Sequence, residues 1–309
     1  MRKYPLPYLC LLLVVLLQSC KWDRSGEDRA YKIVATTNIL ADGVRALVGD
    51  SAEVSSIMAI GVDPHLYKAS QRDLDLLFDA DLVVFHGLNL EGKMAEVLRK
   101  FGRTNDVIDQ GSLLPLQELL SDPEYANATD PHIWFDVQLW KKALTATAAE
   151  LVKRKPEWKS YIDANLSVYN NQLDALDQYT RESVAKVTSE GQMLITAHDA
   201  FSYFGRAYNI EVRGLQGLST LSEPGLRDIT ELVSFIIEHQ IKAIFVEQSI
   251  SPKALAAVVE GCKRRGHEVT LAGPLYTDSL GDAEEGAGNY IDMVRTNVNT
   301  IVDNLKKDD

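Results

Sequence analysis

Apolar positions along this chain follow two rhythms. Short apolar runs predict buried strands at 32–36, 54–60, 82–85 and 107–108, and again at 193–196, 211–214, 243–246 and 269–272. Between them, 3–4 spacing predicts helices at 39–48, 70–79, 90–101, 137–153, 200–208, 226–239, 253–264 and 290–305. Strands alternating with helices indicate parallel sheets covered by helices. One segment is longer. Trp158, Ile162, Leu166, Tyr169, Leu173, Leu176, Val184 and Val187 keep helical spacing with a single gap at Thr180. A helix over about 157–187 would be roughly 45 Å long. It contains no proline or glycine, so no kink is expected. Such a helix can join two lobes, or lie along the surface of one. No fixed-period repeat is present.

The first twenty residues break the pattern. Arg2 and Lys3 precede an apolar run over 8–17, too short to cross a bilayer of about 30 Å as a helix. Leu17-Gln18-Ser19-Cys20 follows, so 1–19 reads as a lipoprotein signal peptide with Cys20 as the lipidated residue. The alternative is an ordinary signal with an incidental cysteine. The polar stretch 20–30 suits a flexible tether. Of three cysteines, Cys10 leaves with the signal and Cys20 takes the lipid. Cys262 is then alone, which excludes an intramolecular disulfide and suits a buried, inert thiol on a helix. A net charge of −12 argues against nucleic-acid binding, and an acidic surface mildly attracts cations.

Candidate chemistry lies in the histidines. His65, His132 and His198 stand at the mouths of predicted strands, and Asp278 follows the run 269–272. Ligands of open α/β sheets bind beyond the carboxyl ends of the strands, so residues from both halves can converge there. Three imidazoles and one carboxylate at a single point would bind a metal. Their separations match no local metal motif. By position His86, after the run 82–85, is also a ligand candidate. Glu247 is a ligand, a partner to one, or a rim residue. Asp199 either orients an imidazole or caps the next helix. His239 and His267 read as structural. The irregular stretch 111–130 carries acids but no histidine. No nucleophile-elbow, zincin, phosphate-loop or dinucleotide motif is present.

Several stretches together resemble one family. They are Gly61-Val62-Asp63-Pro64-His65, His86-Gly87-Leu88-Asn89-Leu90-Glu91, Asp130-Pro131-His132-Ile133-Trp134-Phe135-Asp136, Thr196-Ala197-His198-Asp199-Ala200-Phe201, the run 214–224, and Asp278-Ser279-Leu280-Gly281. From about Lys32 onwards the chain is similar to the metal-binding solute-receptor lipoproteins of bacterial zinc and manganese ABC importers (cluster A-I, or cluster 9), in their treponemal three-histidine, one-aspartate type. The resemblance implies an α/β fold of two lobes, each a mostly parallel sheet flanked by helices, joined by one long rigid helix. The chain then divides into a first lobe at 31–137, a helical region at 138–190 and a second lobe at 191–309. The resemblance assigns metal ligation to His65, His132, His198 and Asp278, and gives His86 a structural role.

The implied function is extracytoplasmic capture of Zn²⁺ or Mn²⁺ as cargo by a monomeric receptor, anchored through Cys20, that delivers the ion to a membrane permease. Many manganese receptors carry Glu in place of His198, and many zinc receptors carry a histidine-rich loop where 111–130 has none, so the metal stays open between the two. Two other classes compete. A metal-dependent hydrolase needs an open coordination position and a base for water. A surface adhesin lipoprotein is an interaction role that no residue independently supports.

Overall fold

In the computed structural model, residues 29–121, 128–187 and 193–306 are described. The leader, Cys20 and most of the tether lie outside these residues, as does 122–127. The first lobe contains β1 (Tyr31–Ala35), α1 (Asn38–Val48), β2 (Ala52–Ser56), α2 (Gln71–Asp79), β3 (Leu82–Phe85), α3 (Ala95–Phe101) and β4 (Val107–Asp109). The helices α4 (Val137–Arg154) and α5 (Lys159–Val184) follow. The second lobe contains β5 (Met193–His198), α6 (Ser202–Tyr208), β6 (Glu211–Gln216), α7 (Leu226–Glu238), β7 (Ala243–Glu247), α8 (Lys253–Arg264), β8 (Thr270–Leu275) and α9 (Tyr290–Leu305). Among the described residues there are two four-stranded sheets, ordered β2-β1-β3-β4 and β6-β5-β7-β8, and every pairing is parallel. Every residue of β3 is buried, as expected of a central parallel strand covered on both faces.

The long helix is α5, with 26 residues, preceded by a short 3-10 turn at Pro156–Trp158. It packs along α1 of the first lobe, α9 of the second, and α4. The gap at Thr180 is not a break in its buried face. Thr180 is fully buried, and its hydroxyl donates to the carbonyl of Leu176 at 2.9 Å. That satisfies the one polar group which interrupts the apolar stripe.

Several boundaries differ from the sequence expectation, for identifiable reasons. The strand expected at 54–60 is Ala52–Ser56, because it is an edge strand whose register follows β1 from Tyr31↔Ala52 to Ala35↔Ser56. Ile57 and Met58 then turn into a small core with Leu77 and Phe85. The helix expected at 90–101 begins only at Ala95. Leu88, Asn89 and Gly92 have positive φ, and a Cβ on Gly92 would lie 2.2 Å from the His65 carbonyl oxygen. Close packing against the His65 backbone thus replaces the first helical turn. The strand expected at 269–272 runs on to Leu275 through Pro274, which an edge position tolerates.

The main apolar core spans both lobes, with a smaller cluster inside each. A single buried cluster runs from Ile33 and Ala35 of β1, through Trp134, Trp140, Leu144 and Leu173, to Phe245, Leu275 and Tyr290. Phe135 stacks on Phe201 with centroids 4.2 Å apart, and Trp140 meets Tyr290 at 5.5 Å. Parting the lobes as rigid bodies would expose this surface to water, at about 25 cal/mol per Å². The shared core therefore predicts one cooperative unfolding transition. Trp140→Ala should lower stability by about 3–5 kcal/mol while keeping the transition single. Urea denaturation followed by circular dichroism checks this; two resolved transitions would show that the lobes are stabilised separately.

Candidate metal centre

His65, His132, His198 and Asp278 converge between the lobes. One potential donor atom from each lies within 4.8 Å of all the others. The Asp278 Oδ1 is 3.5 Å from the His132 Nε2, and its Oδ2 is 3.4 Å from the His198 Nε2 and 3.9 Å from the His65 Nε2. The Nε2 atoms of His132 and His198 are 3.3 Å apart. Four tetrahedral donors around an ion bound at about 2.0–2.1 Å would sit roughly 3.3–3.4 Å apart. All four residues are buried, and among the described residues the His65 Nε2 and both Asp278 oxygens have no hydrogen-bond partner. A buried carboxylate is tolerated only beside positive charge, so this arrangement of donors suits a cation.

Different elements deliver each group. His198 is the last residue of β5. Asp278 follows β8 by three residues, and His65 lies on the connection from β2 to α2. His132 departs from the expectation that it stands at a strand mouth. It sits late in the connection from β4 to α4, immediately before a 3-10 turn at Ile133–Phe135. This segment crosses the seam between the lobes, where the Trp134 indole N–H donates to the carbonyl of Thr277 in the second lobe at 2.9 Å.

Carboxylates orient two of the rings. Asp130 Oδ1 accepts from the backbone N–H of His132 at 2.9 Å and from its Nδ1 at 2.8 Å. Glu247 accepts from the backbone N–H of His198 at 2.9 Å and from its Nδ1 at 2.6 Å, and from the Thr277 hydroxyl at 2.8 Å. A proton held on Nδ1 leaves the Nε2 lone pair of a neutral ring facing the cluster. Glu247, one of three roles open in the sequence, is thus the partner of His198. Asp199 does not reach an imidazole; its Oδ1 accepts from Ser202. Asp130 was missed as an orienting group. Its signal is an acid two residues ahead of a histidine, but proline between them disguises it as a turn.

His86 stays outside the group. Its Nε2 bonds to the Pro131 carbonyl at 2.6 Å, and its ring meets Trp134 edge-on at 5.0 Å. It supports the His132 segment from behind. The other two histidines are remote. His239 ends α7, and the His267 Nε2 bonds to the Ile241 carbonyl.

The electrostatics separate the rings. Burial drives the pKa of His65 down to about 3. Burial also opposes charge on His132, but Asp130 and Asp278 outweigh it and hold the pKa up at about 9. At His198 burial again acts downward, and Glu247 with Asp278 raises the pKa well above the ordinary value. Burial would raise the Asp278 carboxyl, yet the surrounding imidazoles hold it well below the usual range. Protons on His132 and His198 thus stand where a divalent cation could replace them.

Comparison with known proteins agrees with this architecture. The family pattern described as ZnuA, zinc-uptake complex component A periplasmic, matches residues 33–304. The chain is 42% identical to the manganese-binding lipoprotein MntA of Bacillus subtilis (strain 168) over 298 residues, covering 96% of this chain and 97% of that one. It is 40% identical to the zinc-binding protein TroA of Treponema pallidum (strain Nichols) over 297 residues, covering 95% and 96%. The solved structure of the periplasmic zinc-binding protein TroA from Treponema pallidum superimposes with a TM-score of 0.86 at 39% identity, covering 90% of this chain and all of that one. With a matching pattern over nearly all its described length and relatives of this similarity, the chain belongs to the ZnuA family of periplasmic zinc-uptake components.

Proposed function

We propose that this chain is an extracytoplasmic receptor that captures Zn²⁺ or Mn²⁺ through His65, His132, His198 and Asp278 and delivers the ion to the permease of an ABC importer. The observation that carries this reading is the closed, buried set of three imidazoles and a carboxylate with orphaned donor atoms. One relative is named for manganese and another for zinc, and both match over nearly their whole length. Cys20 carries the membrane anchor in this reading, and the receptor works as a monomer. A hydrolase would need an open coordination position and a free base. Four protein donors leave no such position, and Asp130 and Glu247 are committed to imidazoles.

Three nitrogen donors favour zinc in solution, following the usual order of divalent affinities. Asp278 directs both oxygens into the cluster, so it can also serve the higher coordination that manganese accepts. Competitive titration should therefore show Zn²⁺ displacing Mn²⁺; preferential retention of Mn²⁺ would mean that the geometry overrides the intrinsic order.

His65→Ala and His198→Ala should each weaken Zn²⁺ binding by more than about 100-fold. Glu247→Gln, which removes the charge that orients and polarises His198, should weaken it by roughly 10–100-fold. Wild-type affinity in both alanine variants would mean that the ion binds elsewhere.

Binding should also release protons. His132, with its pKa near 9, and His198 hold protons at neutral pH that the ion must displace. Affinity should fall as the pH falls, by about tenfold per pH unit for each proton released. Zinc affinities measured between pH 6 and pH 8 check the slope, and a flat profile would contradict the arrangement of charges.

A further inference from the structure

Each candidate imidazole has its backbone N–H held by a carboxylate, but the three carboxylates differ in their second contact. Asp130 and Glu247 turn to the ring of the same histidine. Asp63 accepts from the backbone N–H of His65 through Oδ1 at 2.8 Å and spends Oδ2 on the hydroxyl of Thr220, at 2.6 Å. Thr220 belongs to the second lobe, on the loop from β6 to α7. A second cross-lobe bond lies two residues before Asp63, where the Gly61 N–H donates to the Ser279 hydroxyl at 2.7 Å. Among the described residues no carboxylate bonds to the ring Nδ1 of His65. Its placement depends on a loop pinned to the other lobe.

This loop is the outer wall of the cluster. Ile60 and Leu66, on either side of the pinned segment, are 45% and 44% exposed, and Leu221 beside Thr220 is 51% exposed. His132 and His198 are instead fully buried beneath both lobes. The shared apolar core makes wholesale separation of the lobes costly. Parting the His65 loop from Thr220 and Ser279 breaks part-buried hydrogen bonds but leaves the shared apolar core intact.

We propose that Asp63 and Thr220 form a latch that positions His65 and controls how fast the metal enters and leaves. This rests on the metal-receptor reading above. The bond is present with the cluster closed and has no direct contact with the ion's position, so it sets the barrier to opening more than the equilibrium.

The test uses Zn²⁺ binding and its removal by a chelator, followed by stopped flow, with equilibrium affinity measured separately. Thr220→Val and Thr220→Ala should each accelerate association and dissociation together by roughly tenfold, the scale of one hydrogen bond to a charged group. The Kd should stay within about threefold of wild type, and Thr220→Ser, which keeps the hydroxyl, should restore wild-type rates. Unchanged rates in the valine and alanine variants overturn the latch while the receptor reading stands. Faster dissociation with a proportionally weaker Kd also overturns it, because Thr220 would then support only the bound state. A wild-type chain that captures no Zn²⁺ overturns the receptor reading and the latch with it.

Discussion

Carboxylates hold the backbone of every imidazole that converges between the lobes, and the rest of the site depends on this arrangement. Asp63, Asp130 and Glu247 each accept the N–H of a candidate ligand histidine. Glu247 is held in turn by three donors, and Asp63 by the hydroxyl of Thr220. The consequence is a cluster of donors held in place by the fold itself. Preorganisation of this kind reduces the ordering cost of binding. It also concentrates negative charge around Asp278, which leaves the site with a standing requirement for cations. The same charge raises the pKa values of His132 and His198.

The scaffold keeps that cluster in register. Helix α5 touches helices of both lobes, and the apolar cluster continues from one sheet to the other through Trp134, Trp140 and Tyr290. Polar bonds stitch the same seam. The Tyr290 hydroxyl donates to the Trp134 carbonyl at 2.7 Å, and Asn38 accepts from the Leu280 N–H at 2.7 Å while donating to the Ser279 hydroxyl. Two lobes welded in this way differ from two lobes on a free hinge. Motion is cheapest in the loops at the edge of the seam, where few apolar contacts must be broken.

Much of the fold was legible from periodicity. The helices at Lys253–Arg264 and Tyr290–Leu305 begin and end where the apolar spacing places them, and the serine at position 70 caps α2 through a reciprocal bond with Asp73. The errors fell where tertiary contact overrides local pattern. Strand β2 stops with its partner β1, although apolar residues continue beyond it. The turn before α3 takes its shape from the His65 backbone packed against Gly92. Of the candidate site, position along the strands suggested His65, His132, His198 and Asp278 but left His86 as a further candidate, and only the family resemblance set it aside.

Local sequence by itself determined the alternation of strand and helix, the long helix and the pool of imidazoles and carboxylates. Those follow from periodicity and side-chain chemistry, which act over a few residues. Tertiary structure alone decided which polar groups meet. His86 and His132 both belong to the first half of the chain, yet one ring turns to the Pro131 carbonyl and the other to Asp278. Glu247 and His198 lie 49 residues apart and become partners because β5 and β7 are neighbours in one sheet. Asp63 reaches Thr220 across 157 residues because the lobes close face to face. Such pairings depend on strand order and lobe packing, and no spacing within the sequence encodes them.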